Sequence, residues 1–118
     1  MVGLFNTPKR KLKKLIHNGD YKEAVELGQS IEEKYATDVD YLFIMGGLYY
    51  ILEDAQNTLH YLERVLEING NDIEALYLKA NVHQYLKDNK TARQCCKKIL
   101  EVDPSYLKAQ EFLKNLGN

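Results

Sequence analysis

Between Asp54 and Val65 the chain reads DAQNTLHYLERV, and between Asp88 and Ile99 it reads DNKTARQCCKKI. Each stretch opens on aspartate, carries a small residue at its fifth place (Thr58, Ala92) and closes on a branched apolar residue (Val65, Ile99). An earlier copy has Asp20, Ala24 and Ile31 at the same places, and every step between copies is 34 residues. Three positions sharing one period define an internal repeat. A unit of this size cannot bury its apolar face alone. Such units stack, and the stack presents an extended surface that holds another molecule.

The rest of the chain reads as helix around this frame. Thr7-Pro8 is a helix start, with a hydroxyl cap and then a proline whose missing N–H costs nothing at the first position. Leu12, Leu15 and Ile16 share one face, and Asn18-Gly19 ends that helix. A second helix is predicted from about Tyr21 to Tyr35, with Ala24, Leu27, Gly28 and Ile31 on one side. Asp38 opens a helix to about Leu52, Asp54 one to Ile68, Asn71-Asp72 one to Leu86, and Asp88 one to Val102. Pro104 forbids continuation, and Ser105 is predicted to cap a last helix to Leu116. The connections are short, so successive helices must run antiparallel.

Composition bounds the function classes. At 118 residues the chain is one domain's worth, and 45% apolar content is ordinary for a globular protein. Tyrosine is frequent, at nine, and tryptophan is absent. Residues 1–17 carry +5 and the remainder −6, which together give the net −1. The adjacent pair Cys95 and Cys96 suits neither a structural disulfide nor a zinc site; free thiols in a reducing compartment fit. The N-terminal apolar stretch is too short for a secretory signal and precedes the basic run instead of following it. No segment is long enough to span a membrane. A cytoplasmic location is the expectation.

In its middle repeat the chain resembles the tetratricopeptide repeat: Leu42 at the large site, Met45-Gly46 at the leucine-glycine pair, Tyr49 at the tyrosine, then Thr58, Leu62 and Gly70 at the alanine, aromatic and proline sites. Leu76, Ala80, Ala92, Cys96 and Pro104 match in the third repeat, where Lys79 and His83 depart from the pattern. The first repeat has a degenerate first helix, but its stretch from Gly19 to Ala24 resembles the family's interhelical turn. The resemblance implies an all-α fold: an α-solenoid of three helix-turn-helix repeats (about 5–38, 39–72 and 73–106) forming a right-handed superhelix, with a capping helix at 107–116. Small residues at Gly46, Ala80, Ala24, Thr58 and Ala92 would let paired helices approach closely.

In this family the first helix of each repeat lines a concave face. If Leu42, Met45, Gly46 and Tyr49 face the core, a second stripe holds Phe43, Gly47 and Tyr50. The matching stripe of the third repeat is Tyr77, Asn81 and Gln84 with Tyr85 beside it, and that of the first is Lys9, Lys13 and Ile16. Residues 41–52 carry no charge, amide or hydroxyl apart from tyrosine, as expected of the enclosed central helix of a stack. The functional reading is a tyrosine-lined groove for a peptide or amphipathic helix of another protein, with Phe43 and Tyr50 as its floor, Gly47 opening space and Tyr77 extending it.

The resemblance also implies one specific function to check, the clamp that holds the C-terminal carboxylate of chaperones. Lys9 could supply its first lysine. Lys13 and Ile44 stand at its asparagine sites, and Glu74 and Leu78 at its later lysine and arginine sites. Chaperone tails are therefore not supported as partners. Lys9 and Lys13 could instead pair with an acid on another kind of peptide.

Nucleic acid is disfavoured because the domain outside residues 9–14 is acidic and the basic cluster lacks interleaved aromatics. Catalysis finds no support. His17, His60 and His83 sit on different helices without a paired nucleophile, and there is no phosphate loop or metal-ligand spacing. No enzyme activity, cofactor, metal or small-molecule substrate is expected. An adaptor or co-chaperone-like scaffold is the leading reading. Self-association into a homo-oligomer through the basic N-terminal end is the second.

Overall fold

The computed structural model describes residues 7–117. They form seven helices and, among the described residues, no strand: α1 (Pro8–His17), α2 (Tyr21–Ser30), α3 (Val39–Ile51), α4 (Ala55–Ile68), α5 (Ile73–Tyr85), α6 (Asn89–Val102) and α7 (Leu107–Asn115). The helices pack as hairpins α1/α2, α3/α4 and α5/α6, with α4 against α5 and α7 against α6. The result is elongated, 54 × 25 × 22 Å. Its radius of gyration is 15.4 Å, against about 13.5 Å for a compact chain of this length. This is a solenoid, in which each unit touches its neighbours and little else.

The repeating aspartates are explained by one turn used three times. Gly19, Glu53 and Lys87, each 34 residues apart, adopt φ of 81°, 59° and 66°. At each turn the following aspartate donates its N–H back five residues: Asp20 to the carbonyl of Leu15 at 2.8 Å, Asp54 to Tyr49 at 2.9 Å, Asp88 to His83 at 2.8 Å. These bonds satisfy carbonyls left orphaned at the helix end. The side chains of Asp54 and Asp88 then accept from the N–H of Asn57 (3.0 Å) and Thr91 (3.2 Å) and cap the next helix. One residue thus closes one helix and opens another. Asp20 serves only the first purpose, since its side chain makes no capping bond. Thr7, Asp38 and Asp72 cap α1, α3 and α5 in the ordinary way, each such cap being worth about 1 kcal/mol.

Two helix boundaries differ from the sequence expectation. The second helix ends at Ser30, not Tyr35, and residues 31–37 form turns. The Ser30 hydroxyl donates to the Leu27 carbonyl (2.7 Å) and Ile31 leaves helical geometry, which lets Glu32 reach α4. Ile31 is consequently half-buried, whereas its equivalents Val65 and Ile99 are fully enclosed. At the last helix Ser105 does not cap. Its N–H and hydroxyl both bond the Asp103 carboxylate (3.0 and 2.7 Å), leaving Tyr106 at the cap position.

The core has two parts. The first gathers Leu12, Ala24, Leu42, Met45, Leu62 and Val65 from α1–α4, with Ala75 from α5. The second gathers Leu76, Ala80, Ala92, Cys96, Ile99 and Phe112 from α5–α7. Leu66 packs against both. Helix α3 is the central element: Tyr41, Leu42, Met45, Gly46, Leu48 and Tyr49 are all buried, as expected of a helix with apolar residues on every side. The small residues do bring helices close. A Cβ added at Gly46 would stand 3.2 Å from Leu62 Cδ2, and Ala24, Thr58, Ala80 and Ala92 are fully buried.

Candidate functional site

A cleft of about 360 Å³ opens between the α3–α4 turn and α5. Tyr50, Ile51, Glu53 and Asp54 come from the end of α3 and its turn, Ala55 and Thr58 from the start of α4, and Asn81, Val82 and Tyr85 from α5. The shared Schellman-type turn puts Ile51 and Tyr85 at equivalent places in successive repeats, so side chains from two turns face one opening. Tyr50 is 43% exposed and Tyr85 68%. Ile51, Leu52 and Leu86, in the same turns, are also exposed. Exposed large apolar residues gathered in this way are uncommon on a surface with no partner.

Of the residues expected to form one groove, Tyr50, Asn81 and Tyr85 meet here. Phe43 is half-buried against the first core, and Gly47, one turn from Tyr50, faces open space. Gln84 is exposed outside the cleft. Tyr77 does not extend it. Its ring packs edge-on against Tyr106 (6.2 Å between centroids) and Phe112 (6.1 Å), with Lys108 over its face. The terminal helix therefore covers Tyr77, an outcome set by where that helix docks and not by the wheel of α5.

Lys9 and Lys13 are engaged within the chain. Lys9 Nζ lies 2.9 Å from Asp38 and 3.4 Å from Asp40, and Lys13 Nζ lies 3.5 Å from Asp40. The bond to Asp38 is the main reason the Lys9 ammonium is held above its ordinary pKa. These pairs join the first two turns of α1 to the start of α3. At two further clamp positions Ile44 and Leu78 pack against the first core, and the acidic Glu74 stands at the third.

Most of the tyrosines belong to packing. Tyr41 is fully buried, stacks on Tyr35 and meets Tyr61 edge-on; Tyr61 stacks on Tyr49. The hydroxyls of Tyr41 and Tyr61 donate to Glu32 at 3.2 and 2.7 Å, and Arg64 bonds the same carboxylate through both Nη atoms at 2.7 and 3.3 Å. Burial pushes the Tyr61 phenol up to about 12 and Tyr41 further still, while Arg64 draws Glu32 below the usual carboxylate range. This network ties the α2–α3 connection to α4.

Cys95 is 5% exposed, and burial raises its thiol pKa; Cys96 is pushed up to about 11 for the same reason. Neither has the exposed, electropositive setting of a reactive thiol. His83 Nδ1 lies 3.1 Å from Asp88 Oδ2 and braces the turn after α5.

The sequence reading missed Ile51, Glu53, Asp54, Ala55, Thr58 and Val82 as cleft residues. One signal was available: the 34-residue step takes Ile51 to Tyr85 and Leu52 to Leu86, large apolar residues in turns that need none.

Comparison with known proteins supports the architecture. Residues 73–106 match the tetratricopeptide repeat family model. Among solved structures, the first tetratricopeptide-repeat domain of Spaghetti (RPAP3), bound to the HSP90 peptide SRMEEVD, superposes with a TM-score of 0.83 at 17% identity over 92% of this chain and 86% of that one. MamA superposes with a TM-score of 0.81 at 18% identity over 90% of this chain, which spans 62% of the MamA chain. A double mutant of MamA gives 0.79 at 20% identity over 92% of this chain and 62% of that one. No curated protein matches the sequence. No helix among the described residues is long and apolar enough to cross a membrane. The chain is an all-α solenoid of the tetratricopeptide-repeat fold, with a tetratricopeptide repeat at residues 73–106.

Proposed function

We propose that this chain is a protein-interaction module, an adaptor or scaffold that holds a peptide or amphipathic helix of another protein at the cleft between α3 and α5. The observation that carries the reading is the exposure of Tyr50, Ile51 and Tyr85 around one concavity. Tyrosine offers a large, stiff contact surface and a hydroxyl that can bond a partner, and anchors of this type dominate interface energetics. The Spaghetti domain supports the class, since it was solved with a peptide bound. It does not support the same ligand, because Lys13, Ile44, Glu74 and Leu78 stand where a carboxylate clamp needs amide or basic groups.

The test is affinity capture from native lysate with wild type and with the Tyr50→Ser/Tyr85→Ser double variant. Both side chains are exposed, so helicity and melting cooperativity are expected to stay near wild type. Partners identified by mass with wild type should be lost with the variant. Retention of the same partners would overturn the cleft as the binding site. Tyr77 is unsuitable for this test because its ring is part of the α7 interface.

A further inference from the structure

We propose that the cleft selects a basic-apolar segment, in which a large apolar side chain enters between Tyr50 and Tyr85 while a neighbouring lysine or arginine pairs with Glu53. The proposal rests on the cleft being the binding site and names the chemistry of its occupant.

Charge complementarity around an apolar opening selects the occupant. Two of the residues lining the cleft, Glu53 and Asp54, are acids, and none is basic. The Asp54 carboxylate is committed to capping α4 and bonds the Asn57 side chain at 2.7 Å. The side chain of Glu53 makes no hydrogen bond or ion pair with another described residue. Its backbone is nonetheless well held: the N–H bonds the Tyr50 carbonyl at 3.0 Å, and the next N–H closes the turn onto Tyr49 at 2.9 Å. An unpaired carboxylate on a fixed backbone beside exposed aromatic rings suits a cation, which gains both a charge partner and a ring face.

Among the described residues no lysine or arginine pairs with Glu53. Lys9 and Lys13 are paired at the first turn of α3. They are separated from Glu53 by the length of that helix, about 20 Å for its thirteen residues, well beyond the screening length of about 8 Å. Lys87 occupies the equivalent turn one repeat later but forms no ion pair with Glu53. An acidic segment such as SRMEEVD would bring carboxylates against Glu53 and Asp54, and like charges across an interface suppress binding. The cleft is thus built for the opposite sign of ligand from the HSP90 peptide bound to the Spaghetti domain.

Position 53 can be tested without disturbing the turn. Lys87 holds the same left-handed conformation as Glu53, so Glu53→Lys places a side chain there that this fold already accommodates. A displayed library of random dodecapeptides is selected on the wild-type protein, and enriched sequences are measured by fluorescence anisotropy against wild type, Glu53→Lys, Glu53→Gln and the Tyr50→Ser/Tyr85→Ser variant. Enriched peptides should carry lysine or arginine beside an aromatic or large aliphatic residue. Their affinity should fall about tenfold with Glu53→Lys, less with Glu53→Gln, and should weaken as salt rises from about 0.05 to 0.5 M. Replacing the peptide's basic residue by glutamate should restore part of the loss with Glu53→Lys. Enriched peptides that are acidic or neutral, or whose affinity Glu53→Lys leaves within about twofold, would overturn this proposal. If those same peptides are lost with the tyrosine variant, the cleft stands as the binding site. Indifference to both sets of variants, or no enrichment, would overturn both.

Discussion

Glu32 shows how much one side chain can organise in a solenoid. It stands in the connection after α2, yet its carboxylate takes bonds from α3 through Tyr41 and from α4 through Tyr61 and Arg64. Arg64 also donates to the Ala36 carbonyl at 3.0 Å, so the guanidinium fastens the connection at two points. Because the folded pKa of Glu32 is lowered, first of all by Arg64, its stabilisation is fully present above the unfolded value and disappears as pH falls through the folded value. The unfolded value is about 4.3. Glu32→Gln should therefore cost about 1–2 kcal/mol at neutral pH, a charged hydrogen bond discounted for a side chain one-third exposed. Urea midpoints measured from pH 7 downward should show wild type and variant converging below about pH 4.

At the scale of the element, glycine positions separate helix propensity from helix packing. A Cβ at Gly47 would meet nothing within 4 Å, so Gly47→Ala should gain about 1 kcal/mol from propensity alone. A Cβ at Gly28 would land on the Met45 thioether, and Met45 is fully buried. The overpacking cost there is about 1–3 kcal/mol, and Gly28→Ala should be net destabilising by about 1 kcal/mol. Gly46→Ala, facing Leu62 at 3.2 Å, should fall between them. Denaturant midpoints should rank Gly47→Ala above Gly46→Ala above Gly28→Ala. The contrast between neighbouring Gly46 and Gly47 follows from the helix alone: one faces α4 and the other faces away.

For the whole molecule the division of the core matters most. Each helix pair packs on the next, and Leu66 joins two apolar clusters that share little else. Stability in such an array is a sum over units and the interfaces between them. Phe112 seals the second cluster from α7, where it meets Tyr77 and is 7% exposed. Phe112→Ala should cost about 3–5 kcal/mol, and the loss should concentrate in α5–α7. Native-state amide exchange should show protection in α5 and α6 falling while the core amides of α3 and α4 stay protected. A uniform loss across all seven helices would mean that the two clusters unfold as one unit.

The sequence by itself determined the repeat, the helices and the register of the core. All three follow from local rules: aspartate caps, turns with one left-handed residue, and apolar spacing along a single helix. The buried face of α3 was legible for that reason, down to Leu42, Met45, Gly46 and Tyr49. Only the tertiary structure decided which side chains are free. Tyr77 and Tyr85 stand on the same helix, but α7 covers the first and leaves the second 68% exposed. Lys9 and Lys13 lie on the stripe that the helical wheel offered to a ligand, but they pair with Asp38 and Asp40. Tyr41, Tyr49 and Tyr61 could have lined a groove, but they close around Glu32 and one another. Exposure depends on what a distant segment does after the helices dock, and periodicity within one helix carries no information about it.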